Sequence, residues 1–367
     1  MSKNVVLLNS RQGLFPSGSL NWVKKTIEAV KWVKENDLIL LSSVGMNSWE
    51  LVTNLAAVNK IRLKLFIPHD SHQNFEELVA YYKDQFQLSE KIVEYLPVTL
   101  LYEEISKEQL LKARDRKIME HADLVIPVSL RKTSGWYAYL KNNIAYPNIV
   151  TKFETSYSTH QPKQAYRIEP DELNSELNNL GDDYLFHYTR QPAHPWPDER
   201  LFDYYQAISK SLSYPRTALA TLDKIIGDNN IIASSKNILQ NNPVVSFSAS
   251  NPTQMTDLIR WRKRYHQMSF EPYAIGINKK QAVVKKILPV IYYDLEDQKQ
   301  IDPAASWRYQ SKGKMTDWTN ENEYRHPGDF DFSTIDKNDL LLLTRFKEEA
   351  EQLQKKTGIR SLPFTIY

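Results

Sequence analysis

Short apolar runs alternate with helix-like segments along the first 155 residues, and this alternation is the strongest constraint on the fold. The strand-like runs cover residues 5–8, 37–41, 64–67, 97–102, 123–128 and 148–153. Helical spacing of apolar residues, or helix-like composition, fills the intervals at 21–34, 48–58, 74–87 and 106–122. Strands that alternate with helices of this length predict βαβ units, and therefore a parallel sheet with helices on both faces.

The texture of the sequence changes after residue 155. Residues 156–182 are rich in polar residues and are expected to form a linker. Beyond it, prolines and aromatics increase and the strand-like pieces become short, at 244–248, 273–277 and 289–293, before a charged amphipathic helix expected over 337–356. We therefore predict a Rossmann-like α/β domain over 1–155 and an α+β domain over 183–367.

Composition excludes several kinds of site. The chain has no cysteine, which rules out disulfides, zinc–thiolate centres, iron–sulfur clusters and a cysteine nucleophile. Only 10 of 367 residues are glycine, so several glycine-rich phosphate loops are not expected. His69 and His72 are the one close histidine pair and have no evident partner cluster, so no metal site is predicted.

The charge balance and the apolar runs give an expectation about location. Net charge is +3, which does not suggest a protein that coats a polyanion. The N-terminus lacks the pattern of a signal peptide, and no apolar stretch approaches the roughly 20 residues that span a bilayer. We expect a cytoplasmic protein of bacterial type with no membrane partner.

Two Ser/Gly/Asn-rich loops in the first domain, 9–21 and 42–50, are candidates for a nucleotide or phosphate site. Each follows a predicted strand and leads into a helix, where backbone N–H groups and the helix dipole favour an anion. The candidate ligand-binding residues are Ser10, Arg11, Gly18, Ser42, Gly45 and Glu50. The alternative is that the Ser and Asn residues only cap helices and that Glu50 only interacts with the helix dipole.

The second domain carries residues suited to binding a ribose. His187 and Thr189 share one face of a predicted strand because strand side chains alternate, and a His beside a hydroxyl can bind a diol. Glu321 and Glu323 also share a face if their segment is extended. A carboxylate there can bind the 2′-hydroxyl and stabilise an oxocarbenium-like C1′. The alternatives are a buried core histidine at 187 and an ion pair between Glu323 and Arg325.

Arg325 is a candidate either for pyrophosphate binding or for holding Glu323 in place. Tyr273 and Trp318 could stack on a base. A compact basic cluster is a candidate for nucleic-acid contact, with the alternative of a solvated helix face. It consists of Arg260, Trp261, Arg262, Lys263 and Arg264.

A series of motifs between 184 and 330 carries a family resemblance. The motifs are HYT, IxASS, VVSFS, FEPYAIGI, PVIY and WTxExEYRxPGD, in that order. Together they resemble a bacterial family similar to the AbiGi-type abortive-infection proteins and, more distantly, the DNA-targeting ADP-ribosyltransferase toxins. The resemblance implies an ADP-ribosyltransferase-like domain that uses NAD, in anti-phage defence or a toxin system. The substrate-anchoring loop of the toxins has no counterpart here, so the resemblance names no acceptor, although a nucleic acid is one candidate.

Residue roles follow from that resemblance. His187 is implied to contact the NAD ribose, Tyr273 or Tyr265 to flank nicotinamide, and Glu323 to orient the ribose. The implied catalytic set is His187, Thr189, Glu321, Glu323 and Arg325, and the implied cofactor-binding set is His187, Tyr188, Ser246, Ser248 and Tyr273.

The first 150 residues resemble, in layout alone, the Rossmann-like nucleotide-binding domains of the DNA-processing-protein-A and lysine-decarboxylase-like group. The glycine-rich loop of that group has no counterpart beyond Ser43-Val-Gly45. Three functional hypotheses therefore stand. The first is NAD-dependent ADP-ribosyl transfer or NAD hydrolysis in the second domain. The second is a non-catalytic protein that senses a nucleotide or binds nucleic acid, and the third is glycosidic-bond chemistry at Glu50.

Overall fold

The computed structural model describes the chain in segments that fold into two compact units. The described residues are 2–99, 106–143, 148–158, 166–180, 183–236, 238–263, 265–294, 302–312 and 322–366. Unit 1 consists of Met1–Gln161 and Ala193–Pro215, and unit 2 of Pro162–Pro192 and Arg216–Tyr367. Residues 193–215, which the sequence assigned to the second domain, thus pack with the first unit.

Unit 1 is built on a sheet of five parallel strands, in the order β4-β3-β2-β1-β5. Its strands are β1 (Asn4–Asn9), β2 (Ile39–Ser43), β3 (Leu63–Pro68), β4 (Val93–Val98) and β5 (Leu124–Ser129). Its helices are α1 (Asn21–Glu35), α2 (Asn47–Asn59), α3 (Phe75–Gln85), α4 (Lys107–Glu120), α5 (Gly135–Asn143) and α6 (Leu201–Lys210). The predicted α/β fold with a parallel sheet is confirmed.

Both faces of this sheet are covered, as the continuous apolar strands require. In β1, Val5 and Leu7 pack with α1, α2 and α6, whereas Val6 and Leu8 pack on the other face with Ile118 of α4. The strand order reverses at β1, which lies between β2 and β5. In open α/β sheets, ligands bind beyond the carboxyl ends of the strands at such a reversal.

Two of the predicted strands of unit 1 differ from the structure. The strand expected at 97–102 is found at Val93–Val98, and residues 100–102 lie outside the described part. The segment 148–153 forms only a single bridge, between Ile149 and Val125, instead of a full strand. Phe153 lies in a turn and its side chain is buried in the core of unit 1. This apolar residue therefore packs against the core and is not part of a strand.

Unit 2 contains a seven-stranded mixed sheet in the order β12-β15-β8-β6-β11-β17-β18. The strands of unit 2, in this sheet and in three two-stranded sheets beside it, are β6 (Tyr184–Tyr188), β7 (Asn230–Ile231), β8 (Val244–Ser248), β9 (Trp261–Arg262), β10 (Gln267–Met268), β11 (Ala274–Asn278), β12 (Leu288–Pro289), β13 (Ile291–Tyr293), β14 (Tyr309–Ser311), β15 (Glu323–Pro327), β16 (Phe330–Asp331), β17 (Leu340–Thr344) and β18 (Ser361–Pro363). Its helices are α7 (Ala218–Asp228), α8 (Pro252–Met255), α9 (Lys279–Val284) and α10 (Lys347–Thr357).

The prediction of one closing helix over 337–356 was wrong. Leu340–Thr344 is instead a fully buried strand between β11 and β18, and the helix begins only at Lys347. A run of four leucines is buried on both faces here, which suits a central strand. Among the described residues, no helix combines the length and the apolar character that crossing a membrane requires.

Candidate functional site

A pocket of about 630 Å³ lies in unit 1 where the carboxyl ends of β1 and β2 meet. Its walls come from the loops after these strands, the first turns of α2 and α4, and the segment that leads into and through α6. The lining residues are Arg11, Gln12, Leu14, Gly45, Met46, Asn47, Glu50, Lys107, Leu111, Ala193, His194, Pro195, Tyr204 and Tyr205. This is the position at which open α/β sheets bind ligands.

Two cationic side chains line the pocket. Arg11 and Lys107 are exposed, and within the described part of the chain neither side chain makes a hydrogen bond or ion pair. The N-terminus of α2 lies at the same wall, and the side chain of the preceding Met46 does not cap it. Uncompensated cations beside the positive end of a helix make the pocket attractive to an anion.

Asn47, the first residue of α2, fixes the geometry of this wall. Its amide nitrogen Nδ2 donates a 2.6 Å hydrogen bond to the carbonyl oxygen of Gly13. The bond ties the loop after β1 to the start of the helix after β2. The two loops that the sequence singled out are therefore held together at one edge of the sheet.

The carboxylate of Glu50 is fixed at both oxygens. The backbone N–H of Gly45 donates to Oε1 at 2.9 Å, and the hydroxyl of Tyr205 donates to Oε2 at 2.6 Å. Gly45 has a φ of +83°, a conformation that glycine adopts without strain, and this aims its N–H at the carboxylate. The result is a carboxylate of defined orientation in the wall of the pocket.

Tyr205 is suited to be the donor of that bond. Burial, assisted by the negative charge of Glu50, raises the pKa of Tyr205 well above its ordinary value. The phenol therefore stays protonated over the physiological range. Its ring packs edge-on against Tyr204, with centroids 5.0 Å apart, and the hydroxyl of Tyr204 pairs with that of Tyr214 at 3.0 Å.

The structure separates the six predicted first-domain residues into two groups. Arg11, Gly45 and Glu50 line the pocket. The other three do not line it. Ser10 accepts a hydrogen bond from the backbone N–H of Arg131, and Ser42 is buried and donates to the carbonyl of Trp49.

Gly18 has a packing role. A Cβ at this position would lie 2.6 Å from the carbonyl oxygen of Ser209 and 2.9 Å from that of Ser211. The loop after β1 therefore approaches the end of α6 more closely than any side chain would permit. The glycine therefore permits this close approach, and it does not line the pocket.

Sequence reasoning missed Asn47, Lys107 and Tyr205. Asn47 lies inside the candidate loop 42–50, so its position in that loop could have identified it. Lys107 is one of many lysines and has no local signature. Tyr205 is 155 residues from Glu50 in the chain, and only the tertiary structure brings the two together.

In unit 2, Glu323 and Arg325 form a tightly bonded pair on β15. Arg325 is 1% exposed, and all five of its guanidinium N–H groups are used. Nε and Nη2 donate to the two oxygens of Glu323 at 2.8 and 3.1 Å. The remaining three bonds reach the carbonyls of Trp307 and Tyr309 and the side chain of Gln310. The guanidinium is therefore committed to the fold and has no N–H left for a pyrophosphate.

Ser246 joins this pair, because its hydroxyl donates to Oε1 of Glu323 at 2.7 Å. The strand register explains the contact. Ser246 lies directly opposite Arg325, and Ser248 lies opposite Glu323, so all four side chains leave the same face of the sheet. Phe186 of β6 pairs with Ser248 and belongs to this face as well.

His187 leaves the opposite face of the sheet, because it follows Phe186 in β6. Its ring lies 5.8 Å from that of Phe247, and its partner across β11 is Ile275. Nδ1 lies 2.9 Å from the backbone carbonyl of Ser246, and burial lowers the pKa of the imidazole. The sheet itself thus separates the imidazole from the carboxylate of Glu323, and the structure does not bring them into one constellation.

The other residues implied by the family resemblance serve the packing of unit 2. Thr189 is buried and donates to the carbonyl of Ala218 at 2.9 Å. Tyr273 donates to Oε1 of Glu349 at 3.1 Å. Burial raises the pKa of Tyr188, so this phenol stays neutral. Glu321 and Trp318 lie outside the described residues.

The predicted basic cluster is only partly described. Trp261 and Arg262 form the short strand β9, and Trp261 packs against the core of unit 2 beside Ile259 and Met268. Arg260 and Lys263 are exposed. Arg264 lies outside the described residues. The indole of Trp261 is therefore partly engaged in packing.

Comparison with known proteins finds no match among family models, curated proteins or solved structures. The resemblances drawn from motifs stay predictions.

Proposed function

We propose that unit 1 binds a nucleotide, or a closely related phosphorylated ribose compound, in the pocket at the carboxyl ends of β1 and β2. One observation carries the proposal: two cations that have no partner among the described residues, a helix N-terminus and an oriented carboxylate share one pocket at the reversal of strand order. Cations and helix N-terminus suit a phosphate, and a carboxylate suits ribose hydroxyls.

The pocket offers a separate partner for each part of such a ligand. Arg11 and Lys107 are placed to neutralise phosphate oxygens. Glu50 is placed to accept hydrogen bonds from ribose hydroxyls, because the N–H of Gly45 and the hydroxyl of Tyr205 already hold its carboxylate in position. Leu14 and Leu111 supply apolar wall for a base.

A thermal-shift panel tests the proposal. AMP, ADP, ADP-ribose and NAD are added to the wild type, Lys107→Gln and Lys31→Gln; Lys31 is an exposed lysine of α1 outside the pocket. A ligand at about 100 times its Kd stabilises the folded state by about 2.7 kcal/mol. We expect at least one compound to raise the Tm of the wild type and of Lys31→Gln, with a smaller rise for Lys107→Gln. An equal rise in all three proteins, or no rise with any compound, would contradict the assignment.

A second candidate function for the same pocket is cleavage of an N-glycosidic bond. The observation that favours it is the fixed orientation of the Glu50 carboxylate, whose two oxygens accept hydrogen bonds from Gly45 and Tyr205. In that reaction the bond from C1′ to the base nitrogen breaks, while the carboxylate stabilises positive charge at C1′. Water supplies the hydroxyl that ends on C1′ and the proton that ends on the departing base.

Glu50→Gln separates binding from cleavage. Glutamine can keep an acceptor for Gly45 and a partner for Tyr205, so the fold should persist. Release of free base or nicotinamide by the wild type, lost in Glu50→Gln, would support cleavage. Binding by both proteins without release would leave the pocket as a sensor.

ADP-ribosyl transfer by unit 2, in bacterial anti-phage defence or a toxin system, stays a prediction of the motif resemblance. The geometry does not favour it, since His187 and Glu323 leave opposite faces of the sheet. NAD consumption by the wild type and by Glu323→Gln, with and without nucleic acid, is its direct test. Turnover that survives Glu50→Gln and disappears in Glu323→Gln, while that variant still melts as a folded protein, would restore this hypothesis.

A further inference from the structure

A second concave surface of unit 1, of about 520 Å³, lies between α4 and α5. From α4 it takes Lys112, Asp115, Arg116 and Met119, whose spacing places them on one face of the helix. From α5 it takes Gly135, Trp136 and Tyr139. We call this surface the α4–α5 groove. It shares no residue with the nucleotide pocket.

Aromatic side chains form one wall of the α4–α5 groove. Trp136 packs with part of its surface against the core and lines the groove with the rest. Tyr137 and Tyr139 are each 39% exposed on the same short helix. Trp136 and Tyr139, three positions apart on α5, are the two aromatic residues that line the groove, and flat rings of this kind are where unpaired bases stack.

The charge around the groove is positive. Arg116 is exposed, and within the described part of the chain its guanidinium has no hydrogen bond or ion pair. Arg131 and Lys132, in the loop that leads into α5, are exposed as well. The one acidic group of the lining, Asp115, is occupied by Arg114, whose Nε and Nη2 donate to its Oδ1 at 2.9 and 2.7 Å. An exposed guanidinium beside aromatic rings matches a phosphate and a base of a nucleic acid strand.

We propose that the α4–α5 groove binds single-stranded nucleic acid, with a base stacked on Trp136 and a phosphate neutralised by Arg116. Stacking requires bases that are not paired, so a duplex fits the groove poorly. This places nucleic-acid contact on unit 1. The basic cluster at 260–263 is the competing surface, and its Trp261, like Trp136, packs with part of its surface against a core.

Fluorescence anisotropy with labelled single-stranded DNA, single-stranded RNA and duplex DNA of equal length tests the proposal. Variants Trp136→Ala and Arg116→Gln probe the groove. Tyr81→Ala, an exposed tyrosine of α3, and Lys31→Gln are matched controls outside it. Arg260→Gln/Lys263→Gln probes the competing surface.

We expect the wild type to bind single strands more tightly than duplex. Trp136→Ala should weaken that binding at least about fivefold. Arg116→Gln should weaken it and reduce the slope of log affinity against log salt by about one. Absence of single-strand binding by the wild type, or loss of binding only in Arg260→Gln/Lys263→Gln, would overturn the proposal. Because Arg116→Gln removes an exposed side chain, it keeps the test valid even if Trp136→Ala fails to fold.

Discussion

The hydroxyl of Tyr205 donates a 2.6 Å hydrogen bond to Oε2 of Glu50, a residue 155 positions earlier in the chain. The bond joins α6 to the first turn of α2. Residues 193–215 therefore complete a pocket whose other walls come from the first 161 residues of the chain. A charged acceptor and a buried donor make this bond stronger than an ordinary neutral one.

Removing that hydroxyl should affect both stability and ligand binding. Tyr205→Phe leaves one oxygen of Glu50 without its donor, and we expect a loss of about 1–3 kcal/mol in the free energy of unfolding. Tyr214→Phe is the matched control, because its hydroxyl bonds to Tyr204 instead and Tyr214 does not line the pocket. Urea unfolding should show a loss for both variants, whereas calorimetric titration should show altered nucleotide affinity for Tyr205→Phe alone. Equal affinities in the two variants would remove Glu50 from the proposed binding scheme.

The alternation of strands and helices in unit 1 was readable because its signals are local. The apolar run Val5–Leu8 and the helical period of Asn21–Lys34 each lie within one short segment, and both elements were placed to within a few residues. The loops at 9–21 and 42–50 followed from the rule that ligands bind beyond the carboxyl ends of strands. Arg11, Gly45 and Glu50 could therefore be named in advance.

The features that were not predicted depend on contacts between residues that are far apart in the sequence. The four leucines at 340–343 carry no alternation, because both faces of β17 are buried, and the charged residues around them favoured a helix. Tyr205 carries no local sign of its partner Glu50. His187 and Glu323 were grouped by motif order, yet their faces are set by strand register, which a single sequence does not reveal.

The pair Glu323–Arg325 should behave as a structural unit. Glu323→Gln leaves the buried guanidinium of Arg325 without its counter-charge, and breaking such a pair costs about 3–5 kcal/mol. We expect a large drop in the urea midpoint. Glu323→Gln/Arg325→Met, which removes both charges, should recover part of that loss. If Glu323→Gln instead unfolds like the wild type, the pair is not holding the fold and a catalytic role for Glu323 gains ground.

The close approach of the loop after β1 to α6 gives a prediction at Gly18. A Cβ there would lie 2.6 Å from a backbone carbonyl oxygen, which cannot move away as a flexible side chain would. Gly18→Ala should therefore lower stability by about 1–3 kcal/mol. Gly135→Ala is the control, since nothing lies within 4 Å of its added Cβ. Thermal melting of the two variants measures the difference, and equal melting temperatures would refute the close approach.

Glu271 gives a prediction about pH. Burial raises the pKa of its carboxyl above the ordinary value of 4.5, although Gln191 N–H and the hydroxyl of Tyr166 partly oppose this. The contribution of this group to stability is therefore complete below about pH 4.5 and is lost as pH rises through the folded-state pKa. Glu271→Gln, which stays neutral, should gain stability relative to the wild type between pH 4.5 and 7.5. If the difference in melting temperature between Glu271→Gln and the wild type stays constant across that pH range, the raised pKa of Glu271 is contradicted.

The central claim is that the pocket of unit 1 recognises the phosphate of a nucleotide, and isothermal titration calorimetry tests it most directly. The nucleotide with the largest thermal shift is titrated into the wild type, into Arg11→Gln/Lys107→Gln and into Lys31→Gln. Each charge-assisted contact is worth about 1.5–3 kcal/mol, so the double variant should bind at least about a hundredfold more weakly, with Lys31→Gln unchanged. Unaltered affinity in Arg11→Gln/Lys107→Gln would show that the ligand binds elsewhere and would contradict the account.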